Sequence, residues 1–171
     1  MEFFLNETFG INGISEISLR KVINKFGVPD EREIQRESEL KNLKVNYIYN
    51  EMNLEIFYNI YYFVEKEGVD FHTMSFIVEK LYLTKELFLI NGEDIRNSLS
   101  KIRKYHKNMN KEFEFEFEEH TYGGSYIFPN IEITIFFEKN GNRKYLDDIY
   151  VGLPIEDNPE IPSVEEIMYM E

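Results

Sequence analysis

Between Glu112 and Glu118 the sequence alternates glutamate and phenylalanine without interruption. Successive side chains of a β-strand point to opposite faces, so this pattern places the carboxylates on one surface and the rings on the other. A helix would distribute the same residues around its axis, and the pattern therefore predicts a strand. We expect Phe113, Phe115 and Phe117 to face a core and the glutamates to face water or a partner.

Two interpretations of the glutamate surface are open at this stage. Antiparallel sheets often keep one face in water, so the carboxylates could simply be solvated. Alternatively, they form a docking surface for a positively charged partner. The chain carries a formal net charge of −13, from 32 acidic and 19 basic residues. Such a field repels nucleic acid and anionic membranes and attracts basic proteins, so we expect neither nucleic acid nor a membrane as a partner.

The composition also limits the fold and its compartment. Hydrophobic residues make up 43% of the chain, which is enough for a core. The chain has no cysteine, which excludes disulfides, thiolate metal ligands and cysteine nucleophiles. The N-terminal residues do not resemble a secretory signal, and no window offers about 18 consecutive apolar residues. We expect a single domain over residues 1–171, located in the cytoplasm.

A first helix is predicted by apolar residues at spacings of three and four: Leu19, Val22, Ile23 and Phe26. Ser15 or Ser18 could cap its start. Gly27 is expected to end it, and Pro29 prevents its continuation. The highly charged segment 30–44 predicts an exposed loop or a short helix.

Strand-like runs follow at 45–50, 54–65 and 72–84, and the sequence of residues 65–70 predicts a hairpin turn between the last two runs. The same order of elements then returns. A second helix is predicted by Ile95, Leu99 and Ile102, further strand-like runs come after it, and Asn140-Gly141 predicts a two-residue hairpin.

Short sequence matches support a duplication. Residues 53–56 resemble 130–133, and residues 63–68 resemble 136–141. Chance similarity between strands is the alternative. We predict pseudo-repeat halves at about 8–84 and 87–153, followed by an acidic, proline-rich tail at 154–171.

The predicted fold class is α+β, with two tandem helix-plus-antiparallel-sheet units forming one continuous sheet and the helices on one face. In that arrangement the glutamates lie on the face without helices, near the centre or the seam of the sheet. The tail is expected to be extended and to end in a short helix near Pro162 and Ser163; the alternative is a flexible arm that binds the partner.

The sequence contains no recognisable catalytic motif. None of the histidines, His72, His106 and His120, has a metal-ligand spacing to another, and each is expected at the surface or at the boundary of an element. The double glycine of "HTYGGSY" lies between strands and predicts a hairpin turn rather than a phosphate loop. Neighbouring acids such as Asp147 and Asp148 point to opposite faces of a strand. We therefore predict no catalytic residue, no cofactor and no metal.

Two features of the sequence resemble known proteins. The segment "KFGVPD" at residues 25–30 is similar to the Gly-x-Pro signature that follows the first helix of small α+β modules with a β-lactamase-inhibitor-protein-like build. The second half has Tyr105-His106-Lys107 where that signature would fall. An acidic, cysteine-free chain of this size also resembles bacterial immunity proteins, which neutralise polymorphic or contact-dependent toxins.

This resemblance implies a non-enzymatic immunity protein that binds a cognate, basic toxin domain through an acidic surface. The expected partner-binding residues are Glu112, Glu114, Glu116, Glu118, Glu119 and Tyr122. A structural or regulatory protein-binding module is the alternative, followed by a carboxylate-dependent hydrolase. The sequence leaves open whether the chain is a monomer or a homodimer.

Overall fold

The computed structural model of the chain describes residues 2–4, 10–37, 42–62, 69–79, 89–90, 93–94, 116–128, 133–153, 155–157 and 161–171. In chain order, its elements are β1 (Glu2–Phe4), β2 (Gly10–Ile11), α1 (Leu19–Phe26), β3 (Glu31–Glu37), β4 (Asn42–Tyr49), β5 (Leu54–Tyr62), β6 (Val69–Val78), β7 (Leu89–Ile90), β8 (Glu93–Asp94), β9 (Glu116–Glu119), β10 (Gly123–Phe128), β11 (Ile133–Asn140), β12 (Arg143–Gly152), β13 (Glu156–Asp157) and α2 (Val164–Tyr169). A 3-10 turn at Asn50–Met52 joins β4 to β5.

One large antiparallel sheet dominates the fold. Its strands follow the order β3-β4-β5-β6-β12-β11-β10-β9, and the short strand β13 pairs with β6. The sheet consists of two meanders, β3 to β6 and β9 to β12, which meet where β6 pairs with β12. A second, small sheet has the order β2-β1-β7-β8.

The predicted fold class, two tandem helix-plus-sheet units, is wrong. The chain is mostly one eight-strand antiparallel sheet accompanied by small helices. The error begins at segment 30–44, where a loop or helix was expected and the chain instead forms β3 and the start of β4. The second predicted helix, with Ile95, Leu99 and Ile102, lies outside the described residues, and the pseudo-repeat halves stay a prediction.

Strand β3 illustrates how pairing overrides local composition. Its register with β4 places Arg32 opposite Tyr47 and Ile34 opposite Val45. Ile34 thereby packs against the core, while Glu31 and Glu33 stay exposed. An edge strand has one neighbour only, and charged residues are common there because they discourage pairing with other chains. A high charge content therefore did not exclude a strand.

The core lies on one face of the large sheet. Residues of β4 and β5 alternate between buried and half-buried positions, as the period of a strand requires. The buried side chains continue onto the neighbouring strands; large examples are Tyr47, Ile56, Ile60, Met74 and Phe76. We call this side the core face and the opposite side the open face.

Helix α1 covers part of the core face, with the boundaries that the sequence predicts. The hydroxyl of Ser18 accepts a hydrogen bond from the backbone N–H of Lys21, which satisfies one of the free donors at the helix start. Gly27 ends the helix with φ of 82°, a conformation that favours glycine. The hydroxyl of Tyr49 donates to the Gly27 carbonyl over 2.9 Å, which attaches this end of the helix to the sheet.

Helix α2 confirms the short helix expected after Pro162. Ser163 caps it, and Glu166 completes a capping box by accepting from the Ser163 backbone N–H. This part of the tail packs against the sheet rather than extending from it, because Ile167 is fully buried. Arg32 donates hydrogen bonds to the carbonyls of Met168 and Met170, the latter over 2.6 Å.

The predicted hairpin after β11 is confirmed, with a shift in its turn. Asn140 pairs with Arg143, so the turn residues are Gly141 and Asn142. Gly141 has φ of 61° and Asn142 has no positive φ. This is the pattern of a glycine-first type II′ turn rather than of the type I′ turn that Asn-Gly commonly forms. Within the described part of the chain, no helix has the length and apolarity needed to cross a membrane.

Candidate functional site

The predicted glutamate strand is confirmed for the residues that the structure describes. β9 pairs with β10, and its residues Glu116 and Glu118 point to the open face, where both are exposed. Glu112 and Glu114 lie outside the described residues, as do Phe113 and Phe115. The expected position near the centre or seam of the sheet was wrong, however, because β9 stands at the end of the strand order among the residues that the structure describes.

Phe117 points to the core side but is only partly buried. Its ring centroid lies 4.9 Å from that of Tyr126 and 6.1 Å from that of Phe137, and both partners are buried. Phe117 itself is 43% exposed, because an edge strand has neighbours on one side only. The ring of Phe117 contacts buried core residues, as expected, but the ring itself is only partly buried.

The double glycine lies inside β10, next to this aromatic cluster. Gly124 pairs with Glu119 on one side and Phe137 on the other. A Cβ atom at Gly124 would collide with the Glu118 carbonyl oxygen and lie 2.7 Å from Cζ of the Phe137 ring. Glycine is therefore needed here for the Phe137 ring to lie over the strand. A hairpin is present in "HTYGGSY", but its turn consists of residues 120–122. The prediction that the double glycine forms the turn is wrong, because both glycines belong to β10.

Glu119 does not join the other glutamates. By the alternation of the strand it shares the side of Phe117, and its carboxylate forms an ion pair with Lys139. Lys139 also donates a hydrogen bond of 2.8 Å to the His120 carbonyl, which fixes this end of the hairpin. We therefore assign Glu119 a role in holding the hairpin, whereas the sequence placed it among partner-binding residues. Tyr122, at the tip of the hairpin, is 79% exposed and remains available for contact.

One register row crosses the whole open face and connects the two edges. It has glutamate at both ends, a third glutamate near one end, and mainly apolar residues in the middle: Glu31, Ile48, Glu55, Ile77, Tyr150, Thr134, Ile127 and Glu116. The end residues are exposed and the six others are half-buried. With neighbouring strands about 4.8 Å apart, the row is about 34 Å long.

Other side chains extend this pattern over the open face. Apolar residues beside the row include Phe57, which is half-buried, and Phe136, which is 42% exposed. Tyr61 and Phe71 form a stacked pair with ring centroids 4.5 Å apart. The acidic residues on this face include Glu31, Glu33, Glu55, Glu116, Glu118 and Glu138. Among the described side chains of the face, Lys44 supplies positive charge and has interaction partners of its own.

Sequence reasoning missed this face because its residues come from distant strands. Glu31 and Glu33 were assigned to a loop or helix, and Glu55 and Glu138 served only in the comparison of the predicted repeats. A period of two is visible at residues 54–60, but the neighbours of each strand are not encoded in that pattern. The one sequence property that these glutamates have in common is the excess of acidic residues in the chain, and it does not indicate which of them share a face.

His72 corrects a second expectation. It was expected at a surface or element boundary, but it lies on the core face with 3% of its surface exposed, and its Nδ1 lies 2.9 Å from the Tyr58 hydroxyl. His120 is exposed, and His106 lies outside the described residues. No group of three potential metal-binding side chains occurs in the part of the chain that the structure describes.

Neither a protein-family model, nor a curated protein, nor a solved structure matches this chain. The resemblance to immunity proteins therefore stays an expectation from the sequence.

Proposed function

We propose that the protein is a non-enzymatic binding protein that captures a basic protein domain on its open face. Given the resemblance in the sequence, we propose further that this domain is a bacterial toxin and that the chain is its cytoplasmic immunity protein. The observation that carries the proposal is the register row from Glu31 to Glu116, with carboxylates at the ends and mainly apolar side chains in the middle.

This arrangement matches the usual anatomy of a protein interface. Stable interfaces combine an apolar centre with a polar rim, and the central residues supply most of the binding free energy. Ile77 and Tyr150 lie in the middle of the row, where a partner would exclude water from them. A face about 34 Å wide is also large enough for an interface of about 800 Å² per partner.

The charge of the rim defines the chemistry of the partner. Among the described side chains of the open face, carboxylates outnumber basic groups, and the whole chain carries −13. A partner with lysine and arginine around an apolar centre would be attracted before contact, which raises the association rate at low salt. Rim charges affect association mainly, whereas central apolar residues affect dissociation.

The direct test uses the C-terminal domain of the protein encoded by the adjacent upstream gene. Co-expression with the present chain should suppress toxicity of that domain, and surface plasmon resonance should give a salt-dependent association rate. A domain that binds without being toxic would favour the regulatory-module alternative. Failure of the domain to bind would overturn the assignment of this partner.

A charge-matched pair of variants locates the interface. Glu116→Lys with Glu118→Lys reverses two carboxylates of the open face, and Glu165→Lys with Glu171→Lys makes the same change of charge around α2. All four residues are exposed. We expect only the open-face pair to slow association by about 10-fold or more at low salt. Equal slowing by both pairs would show that net charge alone acts and would contradict the proposed surface.

A further inference from the structure

A cavity of about 430 Å³ lies on the core face, between the start of α1 and the helix α2. Apolar side chains form one part of its walls, namely Ile17, Leu19, Ile161, Pro162 and Met170. Polar and charged residues form the rest, namely Ser18, Arg20, Tyr58, His72 and Glu166. Its volume falls within the range of small-molecule sites, about 300–1,000 Å³. The cavity is on the opposite side of the sheet from the proposed protein-binding surface, so it requires a separate explanation.

The floor of the cavity is polar, although it belongs to the core. Tyr58 of β5 and His72 of β6 both line it, with 2% and 3% of their surfaces exposed. The Tyr58 hydroxyl and the His72 Nδ1 are 2.9 Å apart, and the rings meet edge-on with centroids separated by 5.4 Å. A buried hydrogen-bonded pair of this kind holds its groups in a fixed orientation beside the apolar part of the cavity wall.

The rim of the cavity carries one positive and one negative side chain. Arg20 of α1 and Glu166 of α2 both line it and both are exposed to solvent. The Glu166 carboxylate accepts a hydrogen bond from the Ser163 backbone N–H over 2.8 Å, so it is occupied by capping its own helix. Since the two charges oppose each other, a charged ligand would lose hydration without gaining a net counter-charge.

We infer that this cavity is a binding site for a small neutral molecule with an apolar body and one hydroxyl or amide group. The body packs against Leu19, Ile161 and Met170, and the polar group binds at the Tyr58–His72 pair. The inference is independent of the proposed function, because it concerns the other face of the sheet.

Three probes of similar shape test the charge preference: 2-phenylethanol, phenylacetate and 2-phenylethylammonium. Each is titrated into the full chain while NMR signals of the methyl groups and of the His72 ring are followed. We expect 2-phenylethanol to shift the signals of Leu19, Ile161, Met170 and His72 in a saturable manner. Its Kd should be at least about 3-fold lower than that of either ion, because the ions must leave water without compensation.

A pair of tyrosine variants tests the polar floor. Tyr58→Phe removes the hydroxyl at the cavity and should raise the Kd for 2-phenylethanol by about 3- to 10-fold, the effect of one hydrogen bond. Tyr49→Phe is the matched control, because its hydroxyl is also buried but bonds to the Gly27 carbonyl outside the cavity. The control should bind as the unmodified chain does.

Three results would overturn the inference: no saturable shift with any probe, equal affinity for all three probes, or shifts centred on the open face. An unchanged Kd in a folded Tyr58→Phe variant would show that the Tyr58 hydroxyl does not bind the ligand. Should that variant fail to fold, the position of the shifted signals in the unmodified chain decides the question, since it needs no substitution.

Discussion

The hydroxyl of Tyr47 in β4 donates a hydrogen bond of 2.9 Å to the backbone carbonyl of Ile167 in α2, and both residues are fully buried. The bond links positions 120 residues apart in the sequence and satisfies a carbonyl that the short helix cannot satisfy itself. Burial raises the pKa of Tyr47 above its usual value, although the nearby Arg32 guanidinium acts in the opposite direction. The raised pKa extends to higher pH the neutral, donating form that a phenol already has near pH 7.

Replacing Tyr47 by phenylalanine should destabilise the protein by about 1–3 kcal/mol, because the buried carbonyl of Ile167 loses its donor. The free energy of unfolding in urea measures the loss. Tyr122→Phe serves as the matched control, since its side chain is 79% exposed, and it should change stability by less than about 0.5 kcal/mol. Equal midpoints for the two variants would show that this bond does not hold α2 to the sheet.

The capping box of α2 predicts a dependence of stability on pH. The pKa of Glu166 is lowered from its usual value of 4.5, mainly by the hydrogen bond from the Ser163 backbone and then by that with its side chain. A carboxyl with a lowered folded-state pKa contributes stability that is fully present above its unfolded pKa and is lost as the pH falls through the folded pKa.

Unfolding measured from about pH 6 to about pH 3 should therefore show a steeper loss for the unmodified chain than for Glu166→Gln, which does not titrate. Glu165→Gln is the control on the same helix turn and should follow the unmodified chain. Parallel pH profiles for Glu166→Gln and the unmodified chain would contradict a contribution of the ionised capping box.

Gly124→Ala should destabilise the protein by about 1–3 kcal/mol, because the added methyl group meets the Glu118 carbonyl and the Phe137 ring. In a chain that already carries Phe137→Leu, Gly124→Ala should lower the free energy of unfolding by less than it does in the unmodified chain. The reason is that leucine, which is shorter than phenylalanine, relieves one of the two collisions. A double-mutant cycle from urea unfolding gives the coupling. Additive effects would mean that the Phe137 ring is not what requires glycine at this position.

The sequence predicts most reliably where structure depends on neighbours within one helical turn or one strand. The start of α1 at Ser18 and its end at Gly27 follow from side-chain capping and a positive φ, and both are local. The period of two in β5 and β9 likewise determines which side chains share a face. These features were read correctly from the residues alone.

Only part of the candidate surface could be predicted from the sequence. Glu116 and Glu118 were correctly placed on one exposed face of a strand, whereas Glu119 turned to the other side and pairs with Lys139. Glu31 was assigned to no strand at all, although it ends the same register row as Glu116. Strand β3 has charged residues on both of its faces and therefore lacks the apolar alternation by which β9 was recognised.

The sequence by itself therefore determined the two helices α1 and α2, the strands with apolar alternation, the acidic character of the chain and the outward orientation of Glu116 and Glu118. Only the tertiary structure decided that β6 pairs with β12, that His72 is buried, and that α2 closes over Tyr47. The physical reason is that these contacts join residues far apart in the chain. The free energy of these contacts comes from apolar burial and hydrogen bonds between residues that are distant in the sequence. A local sequence pattern therefore does not predict them.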